Sequence, residues 1–110
     1  MDRIDLHAHT TCSDGSMTPT ELFEHAREVG LKALAVTDHD TLAGWSESRR
    51  AAAATGVEWI PGCEISTRLP TGTVHVLAYD VDAGDTDLQD LLSRIRTARD
   101  ARNDAILGRL

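Results

Sequence analysis

The sequence predicts an α/β protein with a largely parallel sheet, and three observations support that fold class. β-like apolar runs alternate with helical stretches in the order strand, helix, strand, helix, strand, strand, helix, the pattern of crossover units. The run from Lys32 to Thr37 is almost continuously apolar, as a parallel strand buried on both faces requires. Histidines and carboxylates stand at or just past the ends of the β-like runs, which is where α/β sheets and barrels gather functional groups. Barrels of this type take about 250 residues, so a chain of 110 residues with this set of elements makes roughly half of one. The last residues before Leu110 still read as helix, and the expectation is the N-terminal portion, residues 1–110, of a single longer domain.

Each element has its own signal. Residues 2–6 form a first strand around Ile4 and Leu6. Thr18-Pro19-Thr20-Glu21 starts a helix: Thr18 caps, Pro19 suits the first helical position and Glu21 completes a capping box. Leu22, Phe23, Ala26 and Val29 make its apolar stripe, His25 lies beside that stripe as a surface residue, and Gly30 ends it. Lys32–Thr37 is the second strand. Leu42 to Thr55 is Ala-rich and helical with Trp45 as anchor, and Gly56 closes it. Val57–Ile60 is the third strand, and Leu69-Pro70-Thr71-Gly72-Thr73 is hairpin chemistry leading into Val74–Tyr79. From Asp87 the chain is helical again: Leu88, Leu91, Leu92, Ile95 and Ile106 recur at helical spacing. Arg94, Arg96, Arg99 and Arg102 are expected on the opposite, solvated side.

The candidate site begins with His7 and His9. Side chains at i and i+2 of a strand share a face, so two imidazoles can address one point. Asp38-His39-Asp40 follows the second strand, Glu64 the third, and His75 lies in the fourth on the face of Leu77 and Tyr79. Loops after successive parallel strands open onto one mouth, which converts scattered residues into a metal-ligand set. Imidazole with carboxylate is the donor mix for Zn, Mn or Fe. Glu64 has two oxygens with which to bridge ions, and Asp14 reaches in as a single-oxygen ligand from a Gly-flanked loop. Asp38 and Asp40 flank His39 and are assigned to accept the second ring N–H of a ligating histidine, with capping of the following helix an equal alternative for Asp40 or Thr41. Cys12 stands beside this set as a weaker candidate ligand. No side-chain nucleophile is assigned, and Ser13, Ser16 and Ser66 read as loop residues.

Composition narrows the function. No apolar run reaches the roughly 18 residues of a membrane span, and no secretory signal opens the chain, so a cytoplasmic location with no membrane partner is expected. Cys12 and Cys63 are the only cysteines and carry no pairing motif. A formal charge of −7 argues against stable duplex nucleic-acid binding, which needs a positive footprint. Three divalent ions would bring that charge to about −1 and make an acidic pocket attractive to anions, so a phosphorylated substrate stays compatible.

Taken together, His7-x-His9 with Asp14, Thr37-Asp38-His39-Asp40-Thr41, Pro61-Gly62-x-Glu64-Ile65-Ser66, and His75 in an apolar strand resemble the polymerase and histidinol phosphatase (PHP) family. The resemblance covers essentially the whole chain. Among PHP proteins it points to the stand-alone bacterial phosphoesterases that act on nucleoside 3′,5′-bisphosphates or trim short RNA from its 5′ end. The resemblance implies the N-terminal part of a distorted (βα)7 barrel holding two or three divalent ions, Mn, Fe or Zn. It implies that His7, His9 and Glu64 bind one ion, Asp14 and His39 a second, and Glu64 with His75 a third. It further implies hydrolysis of a phosphate ester by a metal-bridging hydroxide on a small substrate, a nucleotide or short oligonucleotide. The family's later histidines and final Asp-x-His have no counterpart in these residues. Two other readings stand beside it: a non-catalytic or proofreading PHP module of a replicative DNA polymerase, and a hydrolase of C–N bonds on a related barrel.

Overall fold

A computed structural model describes residues 2–108. Strands β1 (Arg3–Ala8), β2 (Leu31–Val36), β3 (Glu58–Leu69) and β4 (Gly72–Tyr79) form one sheet in chain order, with helices α1 (Pro19–Glu28), α2 (Trp45–Thr55) and α3 (Thr86–Leu107). β1, β2 and β3 pair in parallel and β4 returns antiparallel to β3. The result is a four-stranded sheet curled so that β4 comes back toward β1.

The two crossovers follow from amphipathic helices laid on one side of the sheet. α1 begins with the expected capping box, in which Thr18 and Glu21 satisfy each other's backbone N–H, two orphan donors at once. Phe23 and Ala26 face inward and pack with Leu34, Val36, Ala51 and Val57 in one core. Val29 is half exposed and His25 lies on the outside. α2 is shorter than the sequence indicates. Gly44 takes the N-cap position without a side-chain bond, so neither Asp40 nor Thr41 caps it. Thr41 instead accepts from the Ala43 N–H at 3.1 Å within the preceding turn. Trp45 is buried as anticipated, and its indole N–H donates to the Gly62 carbonyl at 3.0 Å. Gly56 ends the helix at φ 77°, a conformation that favours glycine.

The main departure lies in β3. The run expected to stop at Ile60 continues to Leu69 and changes partner on the way. Residues 58–61 pair with β2, and residues 62–69 pair with β4. A Pro-Gly pair reads as a break in sequence, but Pro61 and Gly62 fall where the strand passes from one neighbour to the other. A Cβ on Gly62 would stand 2.9 Å from the Thr37 side chain, so only glycine lets the sheet close up there. Glu64 consequently projects from within a strand and not from a loop after it. Tyr79 on β4 reaches across the curl, its hydroxyl donating to the Leu6 carbonyl of β1 at 2.5 Å. Ile4 and Leu6 on β1, and Val74 and Val76 on β4, remain substantially exposed.

Candidate metal centre

Each donor is delivered by a local feature of the fold. His7 is in β1 and His9 just past its end, with ring centroids 5.2 Å apart. His39 is carried by a short continuation of the β2–β3 pairing: Asp40 N–H donates to the Glu64 carbonyl at 2.9 Å and Glu64 N–H to the Asp38 carbonyl at 3.1 Å. This pair of bonds puts His39 directly beside Glu64. His75 reaches the same place from β4.

Glu64 is the centre of the cluster. Its Oε1 lies 2.6 Å from His7 Nε2 and 3.2 Å from His9 Nε2, while its Oε2 lies 3.3 Å from His39 Nδ1 and 3.0 Å from His75 Nδ1. Asp14 spans the other side, with Oδ1 at 3.1 Å from His9 Nδ1 and Oδ2 at 3.2 Å from His39 Nε2. Three overlapping groups result: His7, His9 and Glu64; His9, Asp14 and His39; His39, Glu64 and His75. All six residues expected from the sequence therefore come together, and the side chain of Glu64 is almost fully buried beneath them. Burial alone would raise its carboxyl pKa. The hydrogen bond from His7 and the fields of His39, His9 and His7 outweigh burial and hold it below the ordinary value of 4.5.

The donor set fits divalent cations on its own geometry. His9 Nδ1 is buried without a hydrogen-bond partner even though a carboxylate oxygen is 3.1 Å away. Buried polar atoms are rarely left in that state, and an unpaired imidazole nitrogen facing a carboxylate among converging ligand atoms suits a shared cation. Imidazoles and carboxylates without a cysteine in any of the three groups suit Mn, Fe or Zn.

Asp38 and Asp40 do something other than orient histidine rings. Asp38 is buried and accepts Thr10 N–H at 2.6 Å, Thr10 Oγ1 at 2.7 Å and Ser13 Oγ at 2.8 Å. It ties down the turn between His9 and Asp14. Gly15 completes that turn by donating to the Thr10 carbonyl at 2.8 Å, and a Cβ there would sit 2.3 Å from the His9 carbonyl oxygen. The Asp14 loop is thus closely held. Asp40, fully buried, accepts Ser66 N–H at 2.7 Å and Arg99 Nη1 at 2.9 Å. Both carboxylates order backbone that carries ligands, because their oxygens are taken up by Thr10 and Ser13 on one side and by Ser66 and Arg99 on the other.

The centre opens into a cleft of about 940 Å³ lined by Asp14, His39 and His75 together with Arg68, Arg99 and Arg102. Cys12 also borders this cleft but belongs to none of the three ligand groups. The expected solvated arginine face of α3 holds for Arg94, which pairs with Asp90 at 2.7 Å, and for Arg102, which is exposed where it borders the cleft, and fails for Arg96 and Arg99, which turn inward to Asp40. The missed signal was periodicity. Ile95, Ala98, Arg99 and Arg102 share one helical stripe at i, i+3, i+4 and i+7, so two of the arginines lie on the same side as an apolar position.

Comparison with known proteins agrees with the geometry. The PHP domain family model matches residues 5–104, so the chain belongs to the PHP domain family. It is 39% identical over 100 residues to a 5′-3′ exoribonuclease of Haemophilus influenzae, covering 91% of this chain and 36% of that protein. It is 38% identical over 99 residues to a 3′,5′-nucleoside bisphosphate phosphatase of Chromobacterium violaceum, covering 90% of this chain and 35% of that one. A crystal structure from Bifidobacterium adolescentis, named as a candidate metal-dependent phosphoesterase, superimposes with a TM-score of 0.93 at 36% identity over 98% of this chain and 38% of its own. The chain thus spans little more than a third of the length of these relatives. No helix among the described residues is long and apolar enough to cross a membrane.

Proposed function

We propose that this chain supplies the first six metal ligands of a PHP-type phosphoesterase that hydrolyses a phosphate ester of a nucleoside 3′,5′-bisphosphate or the 5′ end of a short RNA. The observation that carries the reading is the set of three ligand groups sharing Glu64, His9 and His39 around one buried carboxylate. Residues 1–110 would be the N-terminal portion of one barrel domain, with further ligands from chain beyond them. That agrees with a coverage of 36% of the exoribonuclease and 35% of the phosphatase.

His7, His9, Asp14, His39, Glu64 and His75 would hold two or three divalent ions, Mn, Fe or Zn. When bound, such ions supply an acidified water and offset charge on the phosphoryl oxygens. Glu64, held below its ordinary carboxyl value by the His7 hydrogen bond and the fields of His39, His9 and His7, would offer one oxygen to an ion on the side of His7 and His9 and the other to an ion on the side of His39 and His75. The turn stapled by Asp38 keeps Asp14 opposite His9 and His39. Arg68 and Arg102 line the same cleft, and their positive charge would suit a substrate carrying a second phosphate or a further nucleotide. Such nucleotide substrates fit a cytoplasmic setting.

The test is release of inorganic phosphate from a nucleoside 3′,5′-bisphosphate, and of mononucleotide from a short 5′-phosphorylated RNA, by the full-length protein loaded with Mn²⁺. His9→Ala and Glu64→Ala should each lower turnover by at least about a thousandfold, the scale of losing a principal electrostatic element of an active site, while circular dichroism stays near wild type. Turnover near wild type in both variants under saturating metal would defeat the mechanism. Metal binding with no turnover on any phosphate ester would point instead to a non-catalytic module.

A further inference from the structure

The backbone that presents His39 is under tension, and α3 holds it. Asp40 adopts φ 56°, the left-handed region that a non-glycine residue keeps only when its surroundings over-determine it. Four contacts do so. Two come from β3: Asp40 N–H donates to the Glu64 carbonyl at 2.9 Å, and Ser66 N–H donates to Asp40 Oδ1 at 2.7 Å. The other two come from a helix about 56–59 residues along the chain: Arg96 Nη1 donates to the Asp40 carbonyl at 2.6 Å, and Arg99 Nη1 to Asp40 Oδ2 at 2.9 Å. Asp40 is wholly buried, so Arg99 is also the cation that compensates its charge. A buried carboxylate deprived of its partner is strongly destabilised, and the local remedy is for the turn to swing out and carry His39 with it.

Arg96 and Arg99 lie with Leu92 on one face of α3, at i, i+4 and i+7, and Leu92 is fully buried. Leu92 anchors the helix and the two arginines register it against the ligand-bearing turn. We propose that Arg99, with Arg96, is a positioning residue for the metal centre: through Asp40 it sets His39 at the distance from Asp14 and Glu64 that binding requires. The inference rests on the metal-centre reading above and adds that occupancy of the groups containing His39 depends on the docking of α3. No contact between Arg99 and a substrate is needed for this role.

The experiment is a titration of the metal-free full-length protein with Mn²⁺, followed by calorimetry, for wild type, Arg99→Ala, Arg96→Ala and Arg99→Lys, with melting curves recorded in EDTA. Arg99→Ala should weaken Mn²⁺ binding about tenfold, the scale on which groups supporting metal ligands act, and Arg96→Ala should do so to a smaller extent. Arg99→Lys, which keeps charge and one donor, should recover part of the loss, with its own metal-free melting midpoint close to wild type. Unchanged Mn²⁺ binding in Arg99→Ala, accompanied only by a higher KM for the phosphate ester, would overturn the inference in favour of a substrate contact. A fall in metal-free melting midpoint that accounts for the loss of binding, in Arg99→Lys as much as in Arg99→Ala, would overturn it in favour of a general brace. Absence of Mn²⁺ binding in wild type would overturn the metal centre itself, and this inference with it.

Discussion

Glu64 shows how one residue can decide a site. Its type was legible in the sequence, but its two-sided contact with four imidazoles depends on lying inside β3, with β4 on one side and the 38–40 turn on the other. Gly15 is the converse case, unremarkable in sequence and structurally exacting. Replacing Gly15 with Ala would drive a Cβ into backbone atoms of His9 and Thr10, so the turn must open and Asp14 must leave the cluster. Gly15→Ala should lower the melting temperature and weaken Mn²⁺ binding together, both read from the same thermal and calorimetric measurements. The cysteines offer an independent check of burial. Burial pushes the Cys63 thiol up to about 11, whereas Cys12 is exposed. Only a thiolate is reactive, so iodoacetamide at neutral pH should add one label to the pair in the folded protein and two after denaturation, as counted by mass spectrometry with peptide mapping.

At the scale of elements, local rules performed well where an element is defined by its own residues. The capping box of α1 was readable because Thr18 and Glu21 are three residues apart and need nothing else. Thr18→Ala should cost about 1 kcal/mol, seen as a drop of a few degrees in melting temperature. Mn²⁺ affinity should change far less, because the side chains of Thr18 and Glu21 bond each other's backbone N–H in the first turn of α1. The rules fell short where an element is defined by its partners. β3 crosses a Pro-Gly pair because β4 takes over as its neighbour, and α2 starts at Trp45 because the preceding turn is committed to β3 through Asp40. The arginines of α3 were assigned to solvent because charge ordinarily faces water. A buried carboxylate 56 or more residues away draws Arg96 and Arg99 inward, and within α3 only the stripe that Arg99 shares with Ile95 points that way.

For the whole molecule, the three ligand groups join β1, the turn after it, the turn after β2, β3 and β4, so cation binding should tighten the entire half-barrel. A ligand that binds only the folded state stabilises by about 2.7 kcal/mol at a hundredfold excess over its Kd. Mn²⁺ should therefore raise the melting temperature of wild type in differential scanning calorimetry, EDTA should reverse the rise, and Glu64→Ala should show little of either. The amino-acid sequence alone determined the α/β class, the order of the elements and the chemistry of six donors, because strand and helix periodicity and residue type are properties of neighbours along the chain. Tertiary structure decided that Glu64 meets four imidazoles from within a strand, that Asp38 and Asp40 brace backbone and do not orient imidazoles, and that arginines of α3 line the cleft. Those outcomes depend on sheet curl and on pairings dozens of residues apart, where the satisfaction of buried polar groups, and no local pattern, selects the partner.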